Sequence, residues 1–147
     1  MYLKRLLLIS TIYSLLSLLT VSAEANKKVL QVDASLSFAQ QLEFEKVPFI
    51  LLEGEPSTLT EEGLGGYKVE LLAYTNQDKT FTLNSKVYKY TKSGYTLLGT
   101  PSIKLKYQVL GLIEFESASA GHIELQVEIV KQAEMATESD GFAETVR

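Results

Sequence analysis

Three stretches near the end of the chain, residues 102–107, 111–116 and 121–130, alternate apolar and polar side chains. In the third stretch Ile123, Leu125, Val127 and Ile129 share one face, and His122, Glu124, Gln126 and Glu128 share the other. A period of two over this length is typical of strands with one buried and one solvated face, and therefore of an antiparallel sheet. In the first stretch Ile103, Leu105 and Tyr107 are expected on the inner face.

The same alternation appears at residues 67–75 and 80–91, which a short loop separates. The predicted inner residues are Tyr67, Val69, Leu71 and Ala73 on the first strand and Phe81, Leu83, Ser85 and Val87 on the second. Shorter strands are predicted at residues 29–33, 35–40, 47–52, 57–60 and 95–98, with a helix as the competing interpretation of residues 38–44. Together these elements predict an all-β fold, an antiparallel β-sandwich of about seven to nine strands that is Ig-like in general shape.

The first 23 residues have the layout of a secretory signal peptide. Lys4 and Arg5 precede an apolar run, and Val21-Ser22-Ala23 provides a small-residue cleavage site, with Ala25 as a second candidate. An uncleaved anchor is the alternative interpretation of this run. The predicted organisation is therefore a signal peptide over residues 1–23, a β-sandwich domain over 27–132 and a flexible tail over 133–147. The protein is expected to be periplasmic or secreted, with no stable membrane insertion after cleavage.

The composition narrows the function classes further. The chain has 46% apolar and 22% charged residues, a net charge of −4, one His and no Cys. An acidic balance argues against nucleic-acid partners, which need clustered Lys and Arg. Without Cys there is neither a disulfide framework nor a thiolate metal site. We predict no metal ligands and no cofactor.

Candidate catalytic groups are few. The acids Glu53, Glu55, Glu61 and Glu62 are interpreted as a solvated loop and not as a calcium or glycosidase site. His122 is interpreted as a strand-start residue, because Ser117 and Ser119 nearby lack the setting of a catalytic serine. On the last strand, Glu124, Gln126 and Glu128 are expected to pair with Lys104 and Lys106 across neighbouring strands. No catalytic residue is assigned.

Two halves of the chain resemble each other. Residues 47–52 and 100–105 each precede a turn, a short strand, a Gly-bearing loop and a long strand, at an offset of 53 to 55 residues. Two such units facing one another would bury their apolar faces in a sandwich. A true duplication and a reuse of common β-protein turns are equally compatible with this pattern.

The repeated element, a Pro-x-Ile/Leu segment followed by Gly and then a small residue, resembles one in small β-domains of exported bacterial envelope proteins. These include segments of secretins and periplasmic domains attached to regulatory peptidases. Pro48, Gly54, Ser57 and Leu59 match it in the first copy, and Pro101, Ile103 and Ile113 in the second, where residues 108–110 lack the small residue. The resemblance covers about 80 residues. It implies a fold and a compartment but no catalytic residues.

Outward tyrosines are the candidate binding feature. Tyr74, Tyr88 and Tyr90 fall on the outer faces of two paired strands, and Tyr95 follows. Tyr combines stiff apolar surface with a polar tip and recurs in protein interfaces and sugar sites, although it is also simply a good strand residue. The sequence predicts a non-catalytic interaction or structural module with an envelope protein partner. A carbohydrate-binding module is the alternative, and the oligomeric state stays open.

Overall fold

The computed structural model describes residues 27–134, which contain nine β-strands and no helix. The strands are β1 Lys28–Phe38, β2 Gln41–Leu52, β3 Ser57–Glu61, β4 Tyr67–Thr75, β5 Phe81–Thr91, β6 Gly94–Gly99, β7 Ser102–Leu105, β8 Gly111–Ser117 and β9 Gly121–Glu134. Within these residues no helix has the length and apolarity needed to cross a bilayer. The predicted signal peptide lies outside the described residues, as does the predicted tail beyond Glu134.

The nine strands form two antiparallel sheets, which confirms the all-β antiparallel prediction. The first sheet has the order β2-β1-β9-β8. The second sheet runs β3-β4-β5, and both β6 and β7 pair with β5. The predicted tail begins two residues too early, because Ala133 and Glu134 continue β9 and pair with Val29 and Lys28 of β1.

Alternate residues of both sheets belong to one hydrophobic cluster. The predicted inner faces of β4, β5 and β9 are all buried. The fully buried large side chains of the cluster are Phe81, Leu30, Leu36, Leu51, Leu71, Leu83, Ile123, Leu125, Ile129, Val32, Val69 and Val87. Burial of each such side chain stabilises the fold by about 1.5–3 kcal/mol relative to exposure. Tyr107, expected on an inner face, is instead exposed, because β7 ends at Leu105 before it.

Residues 28–38 form one strand and not the two that the sequence predicted. The irregularity near Ser35 is absorbed by shifts of register against β2 between Ala34 and Ser37. There Lys46 of β2 has a φ of 48°, and its N–H donates to the Ser35 hydroxyl oxygen at 2.9 Å. The competing helix over residues 38–44 is excluded. Ala39 and Gln40 have φ values of 47° and 68°, as in the tight turn of a two-residue β-hairpin.

The β6 and β7 strands are two parts of one sheet edge. The register that pairs Val87 with Gly99 continues unchanged into the pairing of Leu83 with Ile103. Between the two strands stands Pro101, which has no N–H to donate. Its carbonyl accepts both the N–H of Ser85, at 2.9 Å, and the Ser85 hydroxyl, at 2.8 Å. Ser85, the one buried polar residue of the described core, is thereby satisfied.

The first half of the described chain, β1 to β4, and the second half, β5 to β9, each contribute strands to both sheets. In the first sheet β1 joins the β1–β2 pair to the β8–β9 pair through β9, and in the second sheet β5 joins β6/β7 to the β3–β4 pair through β4. The order β2-β1-β9-β8 thus corresponds to β6/β7-β5-β4-β3. The prediction that each unit forms one layer is wrong, because each unit divides its strands between the two sheets. The predicted offset of 55 residues, which aligns Gly66 with Gly121 before the two long strands, is also out of phase, since it matches the buried Tyr67 with the outward His122.

Candidate functional site

Three of the four predicted tyrosines meet on the outer face of the second sheet. Tyr90 of β5 lies directly opposite Tyr95 of β6, and their ring centroids are 5.2 Å apart at an interplanar angle of 82°. Tyr88 lies opposite Lys68 of β4 on one side and Leu97 of β6 on the other. Tyr88, Tyr90 and Tyr95 are half-buried. We call these three residues, with Lys68, the tyrosine cluster.

Lys68 supplies the charge of the tyrosine cluster. Its ammonium lies 4.0 Å from the centroid of the Tyr88 ring and 5.4 Å from that of Tyr95. A cation over an aromatic face is attracted by the ring quadrupole. The same ammonium is 3.4 Å from Glu70, which is in turn 3.7 Å from Lys86. The outer face of β4 and β5 therefore carries a connected network in which one carboxylate, Glu70, lies between two ammonium groups.

Tyr74 does not join this cluster. It lies on the same face but opposite Thr82, six residues along β5 from Tyr88. At about 3.3 Å of rise per residue the separation is about 20 Å. Tyr74 is 43% exposed and lies beside the turn that contains Gly54. The structure thus divides the predicted binding residues into a cluster of three and one separate ring.

The tyrosine cluster lies at a sheet edge and is bordered by exposed apolar surface. β6 pairs with β5 alone, and Leu97 on it is 49% exposed. The Tyr95 hydroxyl is buried and has no hydrogen-bond partner in the described part of the chain. Buried polar groups are normally bonded, so this oxygen is an exception. The arrangement offers stiff aromatic surface, one cation and an unpaired strand edge.

A second group of functional side chains lies on the β8–β9 hairpin of the first sheet. The register places Glu114 opposite Glu124 and Glu116 opposite His122. His122 Nδ1 is 2.8 Å from Glu116 Oε1, and Nε2 is 3.5 Å from Glu114 Oε1. Both carboxylates raise the pKa of His122, and the hydrogen bond with Glu116 contributes most to this rise. His122 does open a strand, as predicted, but it does so among acidic groups.

The predicted cross-strand ion pairs between the acids of β9 and the lysines of residues 104–106 are not formed. Glu124 and Glu128 do not face Lys104 and Lys106, because β9 lies between β1 and β8 while β7 belongs to the other sheet. Lys104 instead pairs with Asp78 at 2.6 Å. The hydroxyls of Ser117 and Ser119 lie 3.2 Å from each other, whereas the contacts of the His122 ring are with carboxylates.

Glu53 proves to be structural and not part of a solvated loop. Its carboxylate accepts the N–H of Thr75 at 2.5 Å and the N–H of Lys28 at 3.4 Å, so it joins the end of β4 to the start of β1. Partial burial opposes ionisation, but the hydrogen bond from Thr75 and the nearby Lys28 outweigh it and lower the Glu53 pKa. Glu53 thus ties the two sheets together at one end.

Sequence reasoning missed Lys68 and the grouping of Glu114, His122 and Glu124. The signal for the second was present in the chain. A hairpin turn at residues 118–120 brings the Glu-x-Glu before it opposite the His-x-Glu after it. The position of Lys68 needed the pairing register of β4 and β5, which the spacing of the tyrosines alone does not fix.

Comparison with known proteins adds no relative. No protein-family model matches the chain, and neither a curated protein nor a solved structure is detectably similar to it.

Proposed function

We propose that this protein is an exported, non-catalytic β-domain of the bacterial cell envelope that binds another protein through its tyrosine cluster. The observation that carries the proposal is the grouping of Tyr88, Tyr90 and Tyr95 around Lys68 at the β6 edge. We further infer that the two sheets pack as an Ig-like sandwich, since their buried side chains belong to one cluster. The signal-like N-terminal sequence supports export to the periplasm or beyond.

The physical basis of binding is the low cost of ordering this surface. The rings already pack on one another and under Lys68, so little side-chain freedom remains to be lost when a partner docks. Tyr is enriched at protein interfaces, where its ring is buried and its hydroxyl finds a polar partner. The exposed Leu97 next to the rings adds apolar surface, and the open edge of β6 offers backbone groups to an incoming strand.

Carbohydrate binding is the less favoured alternative. A sugar platform presents aromatic rings whose faces are open for stacking. Here Tyr90 and Tyr95 meet edge to face at 82°, and the Tyr88 ring carries the Lys68 ammonium. These rings are already engaged with each other and with a cation, which suits an apolar or anionic protein surface better than a flat sugar.

The test is affinity capture from an envelope fraction with three forms of the protein. The unmodified protein is compared with a Tyr88→Ala/Tyr90→Ala double variant and with Tyr74→Ala. Tyr74 is the matched control, because it removes a ring from the same sheet face about 20 Å away. Circular dichroism melting confirms that each variant is folded before it is used.

We expect a stoichiometric protein partner that is captured by the unmodified protein and by Tyr74→Ala but is lost in the double variant. Capture of the same partner by all three forms would contradict the assignment of the surface. Absence of any protein partner, together with retention on a polysaccharide column that the double variant loses, would favour carbohydrate binding.

A further inference from the structure

The outer face of the β8–β9 hairpin carries a set of metal-ligand side chains. Glu114, His122 and Glu124 each offer one ligand atom, and these atoms all lie within 4.8 Å of one another. They converge because residues facing each other across an antiparallel pair, and their diagonal neighbours, share one face of a sheet. Glu114 lies opposite Glu124, and His122 is the diagonal neighbour.

We propose that Glu114, His122 and Glu124 bind one divalent transition-metal ion on this face, at a site on the sheet opposite the tyrosine cluster. Imidazole nitrogen and carboxylate oxygen together suit Zn²⁺ and its neighbours, whereas Ca²⁺ and Mg²⁺ take oxygen ligands. Three protein ligands on an open face leave a fourth position for water or for a group from a partner.

The distances are compatible with tetrahedral coordination. Zn–N and Zn–O bonds of about 2.0–2.1 Å place neighbouring ligand atoms of a tetrahedron about 3.3 Å apart. His122 Nε2 and Glu114 Oε1 are 3.5 Å apart, which is already close to that value. The Glu124 ligand atom lies within 4.8 Å of both, and rotation of its side chain would complete the set.

Two neighbouring groups orient these ligands. Glu116 Oε1 lies 2.8 Å from His122 Nδ1, so that a proton on Nδ1 donates to Glu116 and the lone pair of Nε2 faces Glu114. Metal-binding His residues almost always donate their other ring N–H in this way. On the other side, Gln126 Nε2 donates to Glu124 Oε1 at 2.6 Å and holds that carboxylate in place.

The charges also favour a bound cation. Glu114 and Glu124 are like charges in directly opposed positions, an arrangement that destabilises a sheet. A dication between them would convert this repulsion into attraction. In the absence of metal, a protonated His122 compensates in part through its contacts with Glu114 and Glu116.

The test uses the fact that the chain has one His and no Cys. The protein, purified without a polyhistidine tag, is titrated with Zn²⁺ while the ring nitrogens of His122 are followed by long-range ¹H–¹⁵N NMR at pH 7.5. We expect one equivalent of Zn²⁺ to shift the Nε2 resonance and isothermal titration calorimetry to give a 1:1 stoichiometry. A Zn²⁺ titration that leaves the His122 resonances unmoved would overturn the proposal.

Variants separate a built site from general attraction to acidic surface. His122→Gln and Glu124→Gln should each weaken Zn²⁺ binding at least about tenfold, and Glu116→Gln should weaken it about 10- to 100-fold through the orientation of the ring. Glu128→Gln removes the same charge from the same strand and face, and should leave the affinity unchanged. Equal weakening by Glu128→Gln, or Ca²⁺ binding as tight as that of Zn²⁺, would show a diffuse acidic surface and refute the site.

Discussion

The outer faces of the two sheets are built on corresponding strands but differ in the chemistry of their side chains. On the second sheet, Lys68, Glu70 and Lys86 alternate in charge and link to the tyrosines. On the first sheet, carboxylates oppose carboxylates, as in Asp33 against Glu128 and Glu114 against Glu124. We call these the tyrosine face and the acidic face. The tyrosine face combines aromatic rings with a glutamate held between two lysines, whereas on the acidic face Lys46 and His122 lie among several carboxylates.

Function in this fold can reside on the outer faces of the two sheets. The inner positions of both sheets are filled almost entirely by aliphatic and aromatic side chains, and their burial sets the stability. The outer positions of a half-buried sheet are free to differ, because only alternate residues enter the core. A closed network of pairs favours recognition by packing, whereas unneutralised carboxylates favour a cationic ligand. The fold alone does not show which kind of ligand binds at either face, so the two faces must be tested separately.

The largest effect should come from breaking the tyrosine face at the pair Tyr90–Tyr95. Tyr90→Ala removes a half-buried ring and should lower the free energy of unfolding by about 2 kcal/mol. Because the two rings meet edge to face, a double-mutant cycle with Tyr95→Ala should give a coupling of about 1 kcal/mol. Urea denaturation measures each variant.

Tyr74→Ala is the control for that cycle, since its exposed ring lies apart from the cluster and its loss should cost less than about 0.5 kcal/mol. Strict additivity of Tyr90→Ala and Tyr95→Ala would mean that the rings are neighbours without interaction.

A Glu→Gln substitution is expected to change the stability in opposite directions on the two faces. Glu70→Gln on the tyrosine face removes a carboxylate that lies between two lysines and should destabilise the protein by about 0.5 kcal/mol. Glu128→Gln on the acidic face relieves repulsion from Asp33 and should stabilise the protein by about 0.3 kcal/mol. Thermal melts at low ionic strength compare the two.

Salt provides the control for this pair of variants. At about 1 M the Debye length falls to about 3 Å, and both shifts should shrink towards zero. Destabilisation by Glu128→Gln would show that Lys46, which lines the same cavity as Asp33 and Glu128, already neutralises the acidic face.

The sequence predicted the long strands well because period-two alternation directly reports burial. The bounds of β4 and the inner residues of β5 and β9 were correct. It failed where long-range pairing decides the outcome. The partners of Glu124 and Lys104 depend on which sheet β7 joins, and no local pattern encodes this. The separation of Tyr74 from Tyr88 likewise follows from strand length and not from the shared face.

In the candidate sites too, local alternation predicted which way side chains point, but it did not predict their partners from other strands. That Tyr88 and Tyr90 point outward was readable from alternation, whereas the position of Tyr95 opposite Tyr90 and the contact of Lys68 with these rings were not. His122 was identified as a strand-start residue, but its acidic neighbours follow from the hairpin register. Glu53 was misinterpreted as solvated, since its hydrogen-bond donors, the N–H groups of Thr75 and Lys28, are distant in sequence.

The smallest effect concerns an exposed ion pair at the rim of the tyrosine face, between Lys104 and Asp78. The Lys104 ammonium at 2.6 Å, with hydrogen bonds from Thr80, lowers the pKa of Asp78 to about 2. Because the folded pKa lies below the ordinary value of 3.8, this group stabilises the fold above about pH 4 and loses that contribution as the pH falls towards 2. Lys104→Gln should raise the Asp78 pKa towards 3.8, as measured by NMR titration of its carboxyl carbon.

Lys106→Gln is the control, because it changes the same charge two residues further on and should leave the Asp78 pKa where it is. An equal rise in both variants would mean that Asp78 senses the general field of the rim and not the Lys104 contact, and the tyrosine face would then be less tightly paired than its geometry implies.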